Sequence, residues 1–465
     1  MSQLLAQADA VADTAGGFMA QVSAFFSFVA AHWDFCLLHF LEFAIWGAWF
    51  VVLGNLLNAR GFSRKHIGRI YATMPIGAMI SPLVIGGLAD TLVNTEVLIG
   101  VSHLIGGVLL FLMARTDRPR PFYWCALVYA LAYSPTLSLV NSIVFAHNED
   151  IFGGLAERNF PWIRVFGTLG WIVAGLSHMI ILKKGEPINQ KPLLLACGLS
   201  FILGVYAFTL PATPPAGASD QEEPAAADAL PVTEEGAEAA AETGAVLDEG
   251  AEDAQETADD SGISRIIRGS WEMLRDNKVF FSVTFVAAMA MGLYFAFAAL
   301  FLEKSGVTPN VVGPVMTIGQ WIEVIFILTL PWFLDNWGMN SVLLIGVAAW
   351  SLRFGLFAIG RPLALVLMGI ALHGICFDFF FVAGFSNTNR IAPEGLTATA
   401  QTLYGFLVYG LGMYLGSELS GWFNQRMSRT EVIEGKSETV TNWRIFWGVP
   451  FIIVTIATVL FALTP

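Results

Sequence analysis

Twelve stretches of mostly apolar residues follow one another along this chain, each near the roughly 20 residues that a helix needs to cross a bilayer. They fall at residues 33–57, 68–89, 95–114, 122–144, 160–182 and 191–210, then at 279–303, 311–333, 340–359, 362–385, 396–422 and 442–463. Between the two sets of six lie residues 211–262, rich in Ala, Glu, Asp, Gly and Pro and without an aromatic residue. Such a composition cannot bury a core and reads as a disordered tether. The stretch after it, with Arg265, Ile266, Ile267, Arg268, Trp271, Leu274, Arg275 and Lys278, is basic and amphipathic and is expected to lie along the membrane surface. Neither a tether nor a surface helix requires a specific partner. The pattern thus predicts an all-α integral membrane protein: an N-terminal extension over 1–32, a six-helix half over 33–210, the acidic linker and surface helix over 211–278, and a second six-helix half over 279–465.

Composition agrees with lipid as the solvent. Hydrophobic residues make up 55% of the 465 and charged residues 13%, about half the charged share of a soluble domain. Mean hydropathy is +0.64. The net charge of -13 is concentrated: Pro211 to Asp260 carries fifteen acids and no base, which leaves the remainder at +2. Cys36, Cys125, Cys197 and Cys376 all sit in apolar runs without metal-ligand spacing, so they read as small buried hydrophobes. No Lys or Arg precedes Arg60, so the basic region of a cleavable signal is missing and targeting is expected through the first span.

A short internal repeat links the two sets of spans. Gly86-Gly87-Leu88-Ala89-Asp90 ends the second span and Pro331-Trp332-Phe333-Leu334-Asp335 ends the eighth; with the aspartates aligned, Val97-Leu98 falls on Val342-Leu343 without a gap. Parallel six-helix repeats around a central site are the plan of major facilitator transporters. Loop charge gives a separate indication of orientation. Arg60, Arg64, Lys65, Arg69, Arg115, Arg118, Arg120, Lys183, Lys184 and Lys191 follow spans one, three and five, whereas the loops after spans two and four hold only Arg158. The positive-inside rule places the first set in the cytoplasm.

Charges inside the spans are costly, about 2.5–3.5 kcal/mol each at the bilayer centre on insertion scales. Five stand out: Glu42, Arg164, Glu323, Arg353 and Asp378. They either line a polar cavity between the halves or form buried pairs that lock helices together. For Arg353, a turn beyond Trp350, structural pairing is the favoured reading; for Glu42 the two readings are balanced. Gln320 and Glu323, three apart, share a helix face and offer an amide and a carboxylate to a polar solute. Arg164, Thr168 and Trp171 set cation, hydroxyl and aromatic ring along one stripe, suited to a ligand with hydroxyls and a flat ring, although a Trp at helical spacing also serves packing. Asp378 sits among Phe377, Phe379, Phe380 and Phe381. A charge there is poorly solvated, so taking up and releasing a proton as the cavity opens to either side is a means of coupling to a proton gradient. His373 could join it or be a packing residue. No phosphate-cradling glycine loop, paired His ligands or nucleophile elbow is present, so nothing reads as an enzyme, a metal or cofactor site, or an ATP-driven engine.

With these residues the chain resembles the bacterial nucleoside:proton symporters of the major facilitator superfamily. The carrying segments are Phe40 to Trp49, Ala132 to Leu137, Ile163 to Gly170, Gln320 to Glu323 with Phe326 to Pro331, Trp350 with Leu352-Arg353-Phe354, and Cys376 to Phe380. The resemblance implies twelve transmembrane helices, residence in the cell inner membrane with both termini and the linker in the cytoplasm, and nucleoside uptake driven by protons. That orientation opposes the one read from loop charge and carries the greater weight. The resemblance also implies a central site from Arg164, Thr168, Gln320, Glu323, Phe377 and Asp378, with Trp171 where the family has a Phe, and Asp378 as chief coupling acid beside Glu323 and Glu42. Departures fall at Gly292 and Phe295, where the family has Gln and Asn, at His373 for a Tyr and at Glu42 for a Gln. The expected partners are a nucleoside, a proton and the lipid bilayer, with no nucleic acid and no obligatory protein partner evident. A symporter of the same fold for a sugar or other polar metabolite, or a sensor that binds without transporting, are the other readings.

Overall fold

The computed structural model describes residues 23–81, 92–154, 156–215, 258–393, 395–433 and 436–464. A helix lies on each of the twelve expected stretches. Nine helices among the described residues are long and apolar enough to cross a membrane: Trp33–Ala59, Thr95–Arg115, Pro119–Ala146, Phe160–Ile181, Lys278–Lys304, Pro309–Trp337, Met339–Ile359, Leu363–Ile391 and Trp443–Ala462. At the other three stretches stand Arg64–Tyr71 with Thr73–Ser81, the 17-residue helix Lys191–Ala207, and the run Thr397–Gly405, Phe406–Gly412 and Met413–Arg426. The first segment of the repeat, Gly86 to Asp90, lies outside the described residues, as does most of the linker.

Several of these helices are broken, and side chains satisfy the backbone groups that the breaks release. The first is interrupted at Phe50–Val52. The Tyr71 hydroxyl donates to the Phe50 carbonyl at 2.8 Å and accepts from the Gly54 N–H at 3.0 Å, so one buried phenol bridges the gap. In lipid, backbone polar groups have no water to turn to, and such internal partners are obligatory. Pro135, which lacks an N–H, divides Pro119–Tyr133 from Thr136–Ala146.

The helices before residue 211 pack mainly on one another: Trp33–Trp49 lies against Ala156–Ile181 and Lys191–Ala207, and Thr95–Arg115 against Pro119–Tyr133 and Lys191–Ala207. Those after residue 277 do likewise, with Lys278–Lys304 against Met413–Arg426 and Met339–Ile359 against Trp443–Ala462. Connections fall alternately at two ends. At one, Arg60 donates to the carbonyls of Met113, Ala114 and Thr116. At the other, Thr213 N–H donates to Glu96 at 2.9 Å and the Thr213 hydroxyl lies 3.0 Å from His147.

The two groups of helices meet along Ala156–Ile181 against Pro309–Trp337 and at the Arg60 end; at that end polar contacts join them. Asn55 donates to Glu303 at 2.5 Å, Arg69 pairs with Glu418 at 3.0 Å, and Arg64 reaches the Thr439 carbonyl at 3.4 Å. Thr439 belongs to a feature absent from the span pattern, a hairpin of β1 (Ser428–Ile433) and β2 (Lys436–Thr441) between the last two spans, with Ser428 opposite Thr441. Thr430, Val432, Thr439 and Val440 favour extended backbone, and the interleaved charges keep the ribbon in water. The basic stretch after the linker is helical as expected, over Ala258–Asp276, with Ile266, Ile267 and Trp271 exposed. Lys278 starts the next helix instead.

Two glycines set the distance between the Pro309–Trp337 helix and the segment His373–Cys376. A Cβ on Gly374 would fall 2.5 Å from the Glu323 backbone nitrogen, and one on Gly319 would fall 2.7 Å from the His373 Cβ. Gly374→Ala is expected to cost about 1–3 kcal/mol, as overpacking does, seen as a lowered thermal unfolding midpoint in detergent. Gly198→Ala, which meets nothing within 4 Å, should leave the midpoint unchanged.

Candidate functional site

The site is built on two local departures from α-helical winding. Phe377–Val382 and Phe406–Gly412 are π-helical turns, a wider winding that is rare and frequent at functional positions. The first carries Asp378 and the second Tyr409. Trp350 steadies the entrance to the first turn by donating Nε1–H to the Cys376 carbonyl at 3.0 Å. Asp378 is fully buried, and neither carboxyl oxygen has a hydrogen-bond partner among the described residues. Buried unpaired carboxyl oxygens are rare in proteins and call for an explanation.

Three of the five ionisable residues expected inside the spans come together here. Glu323 lies within electrostatic reach of Arg164 and of Asp378. Tyr409 is within reach of all three. Arg164 forms no direct ion pair among the described residues; its guanidinium lies over the Phe43 ring, 4.2 Å from the centroid. Gln320, one turn before Glu323, buries its Oε1 with no partner among the described residues. Phe377 is half-buried beside the His373 ring, 5.8 Å between centroids. Thr168 follows Arg164 by one turn and is also half-buried. Trp171 is more deeply buried, packs edge-on against Trp46 at 5.2 Å, and sits where Gly47 leaves room for it. Together these groups offer a cation, two carboxyls, an amide, a phenol and flat apolar rings: donors, acceptors and a stacking surface for a polar, ring-bearing solute.

Over residues 30–233 and 249–464 the chain matches the family described as nucleoside H+ symporter. The chain belongs to that family. Among its relatives, the putative nucleoside transporter YegT of Escherichia coli K12 is 33% identical over 437 residues, 91% of each protein. The nucleoside permease NupG of the same organism is 27% identical over 427 residues, 88% of this chain and 90% of the permease. The crystal structure of the nucleoside transporter NupG superposes with a TM-score of 0.73, covering 93% of this chain and 98% of that one at 24% identity, which shows a shared fold.

Two of the positions where this family member departs from the expected pattern serve packing. Gly292 lets the Lys278–Lys304 helix approach Met413 and Ser417, since a Cβ would fall 2.6 Å from the Met413 carbonyl oxygen. Phe295 stacks edge-on to His373 at 6.2 Å and tilts against Phe50.

The other two ionisable residues have different surroundings. Glu42 is fully buried in a hydrogen-bonded cluster: His103 Nε2 lies 2.8 Å from Oε2, and the Thr136 hydroxyl donates to Oε1 at 2.7 Å. Tyr133 donates to the Glu42 carbonyl and Ser200 to the His103 carbonyl, both at 2.8 Å. His39 lies within electrostatic reach of both Glu42 and Arg164. Arg353 is fully buried and stacks on Tyr294, its Cζ 3.5 Å from the ring centroid. The sequence did not single out Tyr409 or His103. Each sits in an apolar run within a span, and only the fold shows what each faces. For the Glu42–His103 pair, a double-mutant cycle of Glu42→Gln and His103→Asn on thermal stability is expected to show a coupling of about 1–3 kcal/mol. A coupling near zero would mean that the contact does not hold these helices together.

Proposed function

We propose that this chain imports nucleosides together with protons across the bacterial inner membrane by alternating access, with twelve spans in two six-helix halves over 33–210 and 279–465. Both termini and the linker lie in the cytoplasm. The observation that carries the reading is the gathering of Arg164, Glu323, Tyr409 and Asp378 from both sides of the linker around unpaired buried carboxyl oxygens. Membership of the nucleoside H+ symporter family gives that gathering its substrate and its driving ion.

Arg164 and Thr168 on one half, and Gln320, Glu323 and Phe377 on the other, hold the nucleoside, with carboxylate and amide taking ribose hydroxyls and base N–H groups. Trp171 supports this surface from behind. Asp378 is the proton carrier: with water admitted from one side it takes a proton, and its neutral form removes a repulsion with Glu323. The loaded protein rocks to the other side, where proton and nucleoside leave. Glu323 contributes to coupling through its link to Arg164, and Glu42 through the chain His39 to Arg164.

Uptake of labelled uridine and adenosine into proteoliposomes tests the reading. Accumulation should appear under an inward proton gradient and collapse with a protonophore; a gradient-independent signal, or none for any nucleoside, would overturn it. Asp378→Asn should lower concentrative uptake at least about tenfold, the factor for 1.4 kcal/mol, while retaining nucleoside exchange. Undiminished accumulation would exclude Asp378 as the coupling acid. Glu323→Gln should weaken nucleoside binding, and an unchanged binding isotherm would remove Glu323 from the site.

A further inference from the structure

Glu323 has a neighbour that the functional reading leaves unused. His373 Nε2 lies 4.0 Å from Glu323 Oε2, and on the other side of the ring Nδ1 lies 3.1 Å from Arg353 Nη1. A guanidinium has only hydrogens to offer. Nδ1 must therefore accept, and in a neutral imidazole the remaining hydrogen sits on Nε2, facing the carboxylate. Arg353 thus fixes the tautomer, as the hydrogen-bond partner on the far ring nitrogen does for metal-bound histidines. The 4.0 Å gap is too long for a direct hydrogen bond and suits a small swing of the Glu323 side chain or one bridging water.

The ring is held firmly. It stacks on Tyr294 at 5.6 Å and meets Phe295 edge-on and Phe377 at a tilt. Gly319 and Gly374 hold the two backbones at the spacing that brings imidazole and carboxylate face to face. Behind it Arg353 stacks on Tyr294, Trp350 and Phe357. The titratable or charged groups around His373 are therefore Arg353, Glu323, Tyr294 and the Cys376 thiol. No carboxylate pairs with Arg353 among the described residues, and the imidazole lies between the guanidinium and Glu323.

We propose that Arg353 and His373 form a positioning relay that aims an N–H at Glu323 and holds its carboxylate in the orientation that accepts hydrogen bonds from the nucleoside. Neither residue needs to touch the substrate. The relay rests on the reading of Glu323 as a substrate ligand, and it makes a specific prediction for three side chains of matched size. His373→Phe keeps the ring and its stacking but removes both nitrogens. His373→Gln keeps an oxygen to accept from Arg353 and an N–H to donate to Glu323. Arg353→Gln removes the cation that sets the tautomer.

The experiment is binding of uridine and adenosine to the purified full-length chain in detergent, with unfolding midpoints measured on the same samples. His373→Phe and Arg353→Gln should each weaken binding about tenfold, the factor that one hydrogen bond to a charged group carries. His373→Gln should stay within about threefold of the parent. In a Glu323→Gln background His373→Phe should add no further loss, an effect that general damage to packing would not give. The relay is overturned if His373→Phe binds like the parent, if His373→Gln is as weak as His373→Phe, or if the losses of His373→Phe and Glu323→Gln add in full. Should the parent protein bind neither nucleoside, the functional reading falls and the relay with it; a parent that binds alongside an unaffected His373→Phe leaves that reading standing.

Discussion

Moving a carboxylate from water into a medium of low dielectric costs on the order of 20 kcal/mol before any relaxation, and each ionisable side chain in the spans of this chain has been arranged around that cost. Two solutions coexist. Glu42 is fully satisfied, with His103 and Thr136 on its two oxygens. Arg353 and Arg164 lie against aromatic faces, where the ring quadrupole partly replaces water. Asp378 has neither solution, its two oxygens buried with no hydrogen-bond partner among the described residues. Stability alone would not retain such a group, whereas a proton that comes and goes requires a site whose charged and neutral forms differ sharply in energy.

Backbone geometry makes that arrangement possible. A regular α-helix would present Asp378 and the four phenylalanines around it at 100° steps; the π-helical turn over Phe377–Val382 widens the winding and re-aims the side chains after Cys376. The second such turn, over Phe406–Gly412, brings Tyr409 into the same neighbourhood from the next helix. Glycine contacts then join Glu323 and His373 into one unit: the Pro309–Trp337 helix cannot shift against Gly374 without moving the carboxylate. Across from this unit stands Arg164, on a helix in contact with Pro309–Trp337. A change of charge at Glu323 or Asp378 is therefore felt where the first group of helices meets the second.

Much of this was legible in the sequence. Hydropathy located every helix of the body, because lipid leaves a run of apolar residues few other conformations. Arg164, Glu323 and Asp378 announced themselves by being charges in apolar runs, and the structure groups them. What the sequence could not give was which charges share a site. Glu42 carried the same signal as Glu323, yet its partners His103, Thr136 and Tyr133 lie 61, 94 and 91 residues away along the chain. The expected pairing of Arg353 took the form of three aromatic rings and an imidazole rather than a carboxylate. Tyr409 and both π-helical turns left no periodic signature, and the hairpin was hidden in a loop because its polar β-branched residues carry no membrane signal.

The sealed end of the molecule fits a protein that must open there again. Alternating access needs two conformations of similar free energy, since a ligand or proton can shift an equilibrium only by its differential affinity for the two. Arg69–Glu418 and Lys304–Glu438, at 3.0 and 3.6 Å, are both partly exposed, and exposed pairs contribute about 0–1 kcal/mol each. Asn55 donates to both Ala299 and Glu303, and Arg64 donates its backbone N–H to Gln425 and its guanidinium to the hairpin carbonyl of Thr439. These polar contacts are added to close helix packing, in which Gly68 meets Gly421 and Gly54 meets Ala296 across the same end. The burial that makes Asp378 costly as a charge supplies the difference between protonated and charged forms through which it is proposed to bias that equilibrium.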